Sequence, residues 1–222
     1  MTGRPTRLAV LISGRGSNLD AILRACAAGT LPAQVVQVIS NRPHAGGLEL
    51  AAAAGVPTAV IDHRRFPDRS GFEQALQAQL DAVPCDLVVL AGFMRVLTAD
   101  FAARHRGRLL NIHPSLLPDF PGLHTHERAL AAGVAEHGAS VHFVTAAVDG
   151  GPLIAQIRVP VQAGDTPDTL AARVLAAEHR LYPTVLGWYA QGRLALVGER
   201  VLLDGLWLAA PVQFAAAGER DD

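Results

Sequence analysis

The chain has 222 residues, half of them hydrophobic and 18% charged, with a formal net charge of −1. That length suits one domain, or one with a small appendage, and the apolar content is ample for a buried core. No basic excess calls for a nucleic-acid backbone or an anionic membrane as partner, although net charge says nothing about one local anion site. Cys26 and Cys85 are too few and too far apart for a disulfide framework or a Cys-based zinc site. Arg4 and Arg7 precede Leu8–Ile12 as in a signal peptide, but Ser13-Gly14-Arg15-Gly16 cuts the apolar run short. No stretch approaches the ~20 apolar residues of a membrane span, so a cytoplasmic protein is expected.

Apolar runs alternate with helical patterns. Leu8–Ser13 reads as a buried parallel strand ending in glycines, and Asn18–Ala28 as a helix with Leu19, Ile22, Leu23 and Cys26 on one face. Val35–Ser40 is the next strand, Gly46–Ala54 a helix stopped by Gly55, and Thr58–Asp62 a short strand. Ser70–Ala82 follows as a helix. Leu87–Ala91 is wholly apolar, hence central, and Leu109–His113 is the strand after it. This order predicts an α/β fold with a doubly wound, mainly parallel sheet and helices on both faces. After residue 123 the pattern changes. Glu127–Ala132 is helical, and Ser140–Thr145 and Leu153–Val161 read as an antiparallel pair joined by a glycine-rich loop. Pro167–Gln191 is a long helix with a cap signal at Asp165-Thr166-Pro167. Leu194–Val197 and Val201–Leu203 suggest a terminal hairpin, and Ala215–Asp222 should fray. No repeat or linker divides the chain, so residues 1–222 are read as one domain.

Ser13-Gly14-Arg15-Gly16-Ser17-Asn18 joins the first strand to the first helix. Glycines there allow a tight turn and a close approach to a ligand, and the helix N–H groups that follow attract anions. Ser17 and Asn18 add donors and can also cap the helix. A dinucleotide reading is weaker, because Leu19 replaces the third glycine of that pattern. The second strand also ends Ser40-Asn41-Arg42 rather than in an acid, although Arg42 could face a phosphorylated ribose.

Asn111-Ile112-His113-Pro114 ends the strand at Leu109. Residues two apart share a face, so Asn111 and His113 project together at the carboxyl end, where open α/β sheets bind ligands. An amide and an imidazole side by side can donate to one oxygen, which is what an oxyanion in acyl transfer requires. Asp149, in Val148-Asp149-Gly150-Gly151-Pro152, is by itself a turn former. If its loop folds over His113, the carboxylate would favour a protonated ring and assist proton transfer. His124-Thr125-His126 lacks a third ligand at motif spacing, so a helix start is the better reading than a metal site. No nucleophile elbow or Cys/His nucleophile signature appears.

Four blocks together are distinctive: Ile12–Leu19, Leu90-Ala91-Gly92-Phe93-Met94-Arg95, Asn111–Pro118, and Phe120-Pro121-Gly122-Leu123-His124-Thr125-His126. They closely resemble the folate-dependent glycinamide ribonucleotide formyltransferases of purine synthesis, in the same order, over residues ~7 to ~207. The resemblance implies a Rossmann-like formyltransferase fold. Residues 1–110 would mainly bind the ribonucleotide phosphate, and residues 111–222 would hold the folate and the catalytic groups. The implied substrates are glycinamide ribonucleotide and 10-formyltetrahydrofolate as co-substrate, with no metal, nucleic acid or membrane. A homodimer is left open. Carried over by position, Gly16, Ser17, Asn18 and Glu178 would hold the ribonucleotide. Without the family, Glu178 is equally a helix surface charge. Arg69, Met94, Arg95, Val96, Leu97, Asn111 and the loop Val144–Asp149 would line the folate site. Asn111, His113 and Asp149 would be catalytic. The main alternative is a formyltetrahydrofolate hydrolase, which shares the trio but delivers the formyl group to water. That class usually carries an N-terminal regulatory domain, whereas the first strand here starts at Leu8. A methionyl-tRNA formyltransferase would be longer and more basic. A non-catalytic nucleotide-binding module would need only the glycine turn.

Overall fold

Residues 3–215 are described, from a computed structural model of the protein. In chain order the elements are β1 (Thr6–Ile12), α1 (Ser17–Ala27), β2 (Ala33–Ser40), α2 (Gly47–Ala53), β3 (Thr58–Val60), α3 (Arg69–Ala82), β4 (Leu87–Leu90), α4 (Ala99–Arg104), β5 (Leu109–His113) and α5 (Thr125–Ala131). Then come β6 (Glu136–Phe143), β7 (Leu153–Pro160), α6 (Pro167–Ala190), β8 (Leu194–Val197), β9 (Arg200–Leu203), β10 (Leu206–Trp207) and β11 (Val212–Ala215).

The continuous apolar runs became the middle of an eight-stranded sheet, ordered β11-β7-β6-β5-β4-β1-β2-β3. Pairing is parallel from β3 to β5. β6 runs against both β5 and β7, and β11 returns parallel to β7. The expected doubly wound sheet with an antiparallel later part is therefore what forms. Its strand order reverses between β1 and β4, which puts a crevice at the carboxyl ends of those strands.

Alternation along the strands sorts two cores. Leu8, Val10, Ile12, Leu110, Ile112, Val141 and Phe143 face α1 and α6. Ala9, Leu11, Val88, Leu90 and Leu109 face Phe72 and Leu76 of α3 and Phe101 of α4. Along α6 the buried positions Leu170, Val174, Ala177, Leu181, Tyr182 and Val185 recur at helical spacing. Thr166 and Thr169 form a capping box with Pro167 just inside the helix. The Tyr182 hydroxyl lies 3.0 Å from both the Leu90 and the Leu110 carbonyl and shares its one proton between them.

Four elements depart from expectation. β6 begins at Glu136, four residues before the expected Ser140. α4 was not anticipated: it has six residues, Thr98 caps it at Phe101 N, and two of its side chains are buried. The terminal hairpin gains a third strand, so β8, β9 and β10 form a separate antiparallel sheet. Ala215, expected to fray, instead ends β11, whose Phe214 stacks on Trp188 at 6.0 Å. The rest of that expected tail lies outside the described residues. No helix among the described residues is long and apolar enough to cross a membrane.

Candidate active site

The turn after β1 is fixed by close packing. Gly16 has φ +82°, and a Cβ there would sit 2.6 Å from the Gly47 Cα at the start of α2. Only glycine fits that backbone and that approach. Gly16 is also the N-cap of α1 and supplies no side-chain cap, so the expected capping by Ser17 or Asn18 is not made. The first N–H groups of an eleven-residue helix are thus without a side-chain acceptor, a setting that favours an anion.

Asn18 is buried, and its Nδ2 donates to Glu178 Oε2 at 2.7 Å, while its Oδ1 has no partner. Glu178 is not a surface charge: it lies on the buried stripe of α6, 5% exposed. Burial pushes its carboxyl up to about 7, against the pull of the Asn18 amide. A buried acid and an orphaned amide oxygen beside the glycine turn form a ready acceptor pair for ligand hydroxyls.

On the other sheet face, Asn111 and His113 do share one side of β5. Their antiparallel partners on β6 are His142 and Ser140. Asn111 Nδ2 lies 3.2 Å from His142 Nε2, and His142 Nδ1 lies 2.9 Å from the Phe143 carbonyl. With Nδ1 donating to that carbonyl, Nε2 is free to accept from the Asn111 amide. Burial holds the His142 ring below its ordinary pKa, which suits this neutral form.

The loop Val144–Pro152 leaves β6 beside the start of β5, with Val144 N donating to the Leu109 carbonyl at 3.0 Å. It then folds back across the face. Asp149 Oδ2 reaches 3.3 Å from His113 Nδ1, and Asp149 Oδ1 stands 3.8 Å from His142 Nε2. Asp149 adopts φ +51°, uncommon for a residue with a side chain, and Gly122 N donates to its Oδ2 at 2.8 Å. His113 Nε2 lies 3.0 Å from the Phe120 carbonyl. Both ring nitrogens of His113 therefore face protein acceptors, and the simple picture of Asn111 and His113 sharing one oxygen needs the Phe120 segment to yield.

Met94–Leu97 is held at both ends. Ser13 Oγ accepts from Met94 N at 2.7 Å and donates to the buried Asn41 Oδ1 at 2.5 Å. Beyond it, Thr98 N donates to Glu73 Oε1 at 2.7 Å, and the Thr98 hydroxyl donates to Oε2. Met94 and Val96 are exposed, whereas Leu97 is packed in the α3–α4 core and can meet a ligand only through its main chain. Arg95 Nε is buried without a partner. Arg69 is an exposed first residue of α3. Leu123 and Val148 add exposed apolar surface on segments beside His113 and Asp149.

His142, Ser13 and Glu73 escaped sequence reasoning. Ser140 and His142 alternate with apolar neighbours, which signals a shared face, but the Asn111–His142 match is a matter of register. Among the described residues no group of three or more His, Cys, Asp or Glu side chains is arranged to hold a metal ion. His126 pairs with His137, Nδ1 to Nε2 at 3.2 Å, while His124 lies 3.5 Å from Glu127.

Residues 6–186 match the formyl transferase family. The chain is 50% identical over 212 residues to phosphoribosylglycinamide formyltransferase of Escherichia coli K12, covering 96% of this chain and 99% of that one. It is 46% identical to part of the human trifunctional purine biosynthetic protein adenosine-3, covering 87% of this chain and 19% of that protein. The structure of phosphoribosylglycinamide formyltransferase from Coxiella burnetii superimposes with a TM-score of 0.92 at 51% identity, covering 95% of this chain and all of that one. A formyltetrahydrofolate deformylase from Pseudomonas putida shares the fold at TM-score 0.82 but only 28% identity, over 91% of this chain and 71% of that one. With half its residues identical over nearly the whole length, the chain belongs to the phosphoribosylglycinamide formyltransferases of the formyl transferase family.

Proposed function

We propose that this protein transfers the formyl group of 10-formyltetrahydrofolate to the amine of glycinamide ribonucleotide, in purine biosynthesis. The observation that carries the reading is the approach of Asp149 to His113 on the face that also presents Asn111. It is supported by the relatives named as transferases at about twice the identity of the deformylase. The phosphate sits on the N–H groups at Gly16, Ser17 and Asn18, and the ribose hydroxyls donate to Glu178 and Asn18 Oδ1. The folate lies along Arg69, Met94–Leu97 and the Val144–Asp149 loop, with Arg69 and Arg95 as its cationic partners.

The amine lone pair attacks the formyl carbon, and the carbonyl π pair moves onto oxygen. Asn111 Nδ2 and a His113 N–H stabilise that oxyanion, the latter once the Phe120 carbonyl has withdrawn. His142 orients the Asn111 amide. Asp149 fixes the His113 ring and helps move the proton from the attacking amine toward the folate nitrogen. The carbon–nitrogen bond to folate then breaks and the carbonyl re-forms.

The test is formyl transfer from 10-formyltetrahydrofolate with glycinamide ribonucleotide, beside a control without the amine. Folate release that requires the amine, with formylated product, is expected. Equal release into water would assign the protein to hydrolysis instead.

A further inference from the structure

Arg42, set at the end of β2 where an acid would face a ribose, is given no role in the proposed reaction. It lines a cavity of about 580 Å³ formed by three loops at the carboxyl ends of β1, β2 and β3. Arg15 comes from the first loop, Arg42 and His44 from the second, and His63 and Arg64 from the third. No acidic side chain lines it. Asp62 lies close by and takes Nε and Nη2 of Arg64, at 2.9 and 2.8 Å, so that cation is already paired. Among the described residues, neither the Arg15 nor the Arg42 side chain forms an ion pair or hydrogen bond. The floor is rigid. Ser13 donates to Asn41, whose Nδ2 lies 3.1 Å from His63 Nδ1.

We infer that this cavity is a second phosphate site, which takes a nucleotide-sized phosphate ester alongside the ribonucleotide held at residues 16–18. Two unpaired guanidinium groups converging in a chain of net charge −1 call for an anion, and their forked donors match phosphate oxygens. The volume falls within the ~300–1,000 Å³ of organic-ligand sites, well above what inorganic phosphate would fill. Pro43 and the two imidazoles supply flat faces for the rest of the molecule. Its place is the crevice side of a doubly wound sheet, on the half occupied by the first three strands. None of Asn111, His113, Asp149, Asn18 or Glu178 lines it. Occupancy would reach the reaction through Ser13, which holds both the cavity floor and Met94 N.

The experiment is calorimetric titration of the full chain, saturated with glycinamide ribonucleotide, with ADP and separately with pyrophosphate. Binding of glycinamide ribonucleotide is measured first, so failure of the substrate assignment is seen independently. ADP is expected to bind one to one, more tightly than pyrophosphate. Arg42→Ser should weaken ADP about tenfold, and Arg15→Ser with Arg42→Ser about a hundredfold, as losses of charge-assisted bonds. Arg42→Lys should fall between, because it keeps the charge and loses the fork. Both positions are exposed, so the melting temperature should hold within about 2 °C and the KM for glycinamide ribonucleotide within about twofold. The inference is overturned if ADP does not bind, if pyrophosphate binds equally well, or if the double variant binds ADP like the parent. It is also overturned if Arg42→Ser raises the KM for glycinamide ribonucleotide tenfold, which would place the cavity in the substrate site.

Discussion

Glu178→Gln isolates the energetics of the buried acid. In the folded chain Glu178 titrates near 7, against an ordinary value of 4.5. Between those pH values the folded state keeps a proton that the unfolded chain has released, so raising the pH favours unfolding. The stability that depends on that proton is complete below about 4.5 and is lost as the pH climbs through 7. The gap corresponds to about 3 kcal/mol. For a chain of this size that is roughly 6–12 °C in melting temperature. Glutamine fills the same space, accepts from Asn18 Nδ2 and cannot ionise. His105 and His137, which burial pushes down to about 4, act the other way: their share of stability is lost as the pH falls from 6.5 through 4. They are common to both proteins and cancel in the difference. Urea unfolding of parent and variant from pH 5 to 9, without substrate, should show the variant gaining on the parent by up to about 3 kcal/mol as the pH rises. A difference that stays within about 0.5 kcal/mol over that range would show that Glu178 is not desolvated, and the reasoning would fail.

Replacing His113 by Ala should lower kcat by ~10²-fold or more with the KM for glycinamide ribonucleotide little changed, as for loss of an oxyanion donor; single-turnover formyl transfer reads this directly. Ser13→Ala removes the acceptor for Met94 N and the donor to Asn41, so the KM for 10-formyltetrahydrofolate should rise several-fold while glycinamide ribonucleotide affinity stays put, as measured by steady-state kinetics with each substrate varied. Gly16→Ala places a methyl 2.6 Å from the Gly47 Cα at φ +82°, so denaturant unfolding should show a loss of at least about 2 kcal/mol.

The sheet was legible because buried parallel strands are written as unbroken apolar runs: Leu109–His113 falls where it was expected, and β1, β2 and β4 lie within two residues. α4 was not, because six residues with two buried side chains carry almost no period, and the helix is set by its Thr98 cap and by Glu73. β11 pairs with a strand more than fifty residues earlier, a match no local pattern contains. In the site, two-residue spacing sufficed for Asn111 and His113. Glu178 could have been placed by its position on the apolar stripe of α6, between Val174 and Tyr182, which makes a surface charge improbable. Asp149 and His142 depend on where a loop folds and how two antiparallel strands slide, and these are settled by packing far along the chain.

The hydrogen bond that the Tyr182 hydroxyl shares between the Leu90 and Leu110 carbonyls ties α6 to two adjacent strands, β4 and β5. Leu90 leads toward the Met94–Leu97 segment proposed to hold folate, and Leu110 immediately precedes Asn111. Glu178 is one helical turn from the same phenol. One buried hydroxyl therefore serves as the common datum for Glu178, Asn111 and the Met94–Leu97 segment, the positions proposed to meet the ribose, the oxyanion and the folate. A shift of α6 along its axis would carry Glu178 with it and strain both strand carbonyls at once. The spacing between the two proposed substrate sites is thereby built into the sheet and α6 rather than into the loops at Phe120 and Asp149.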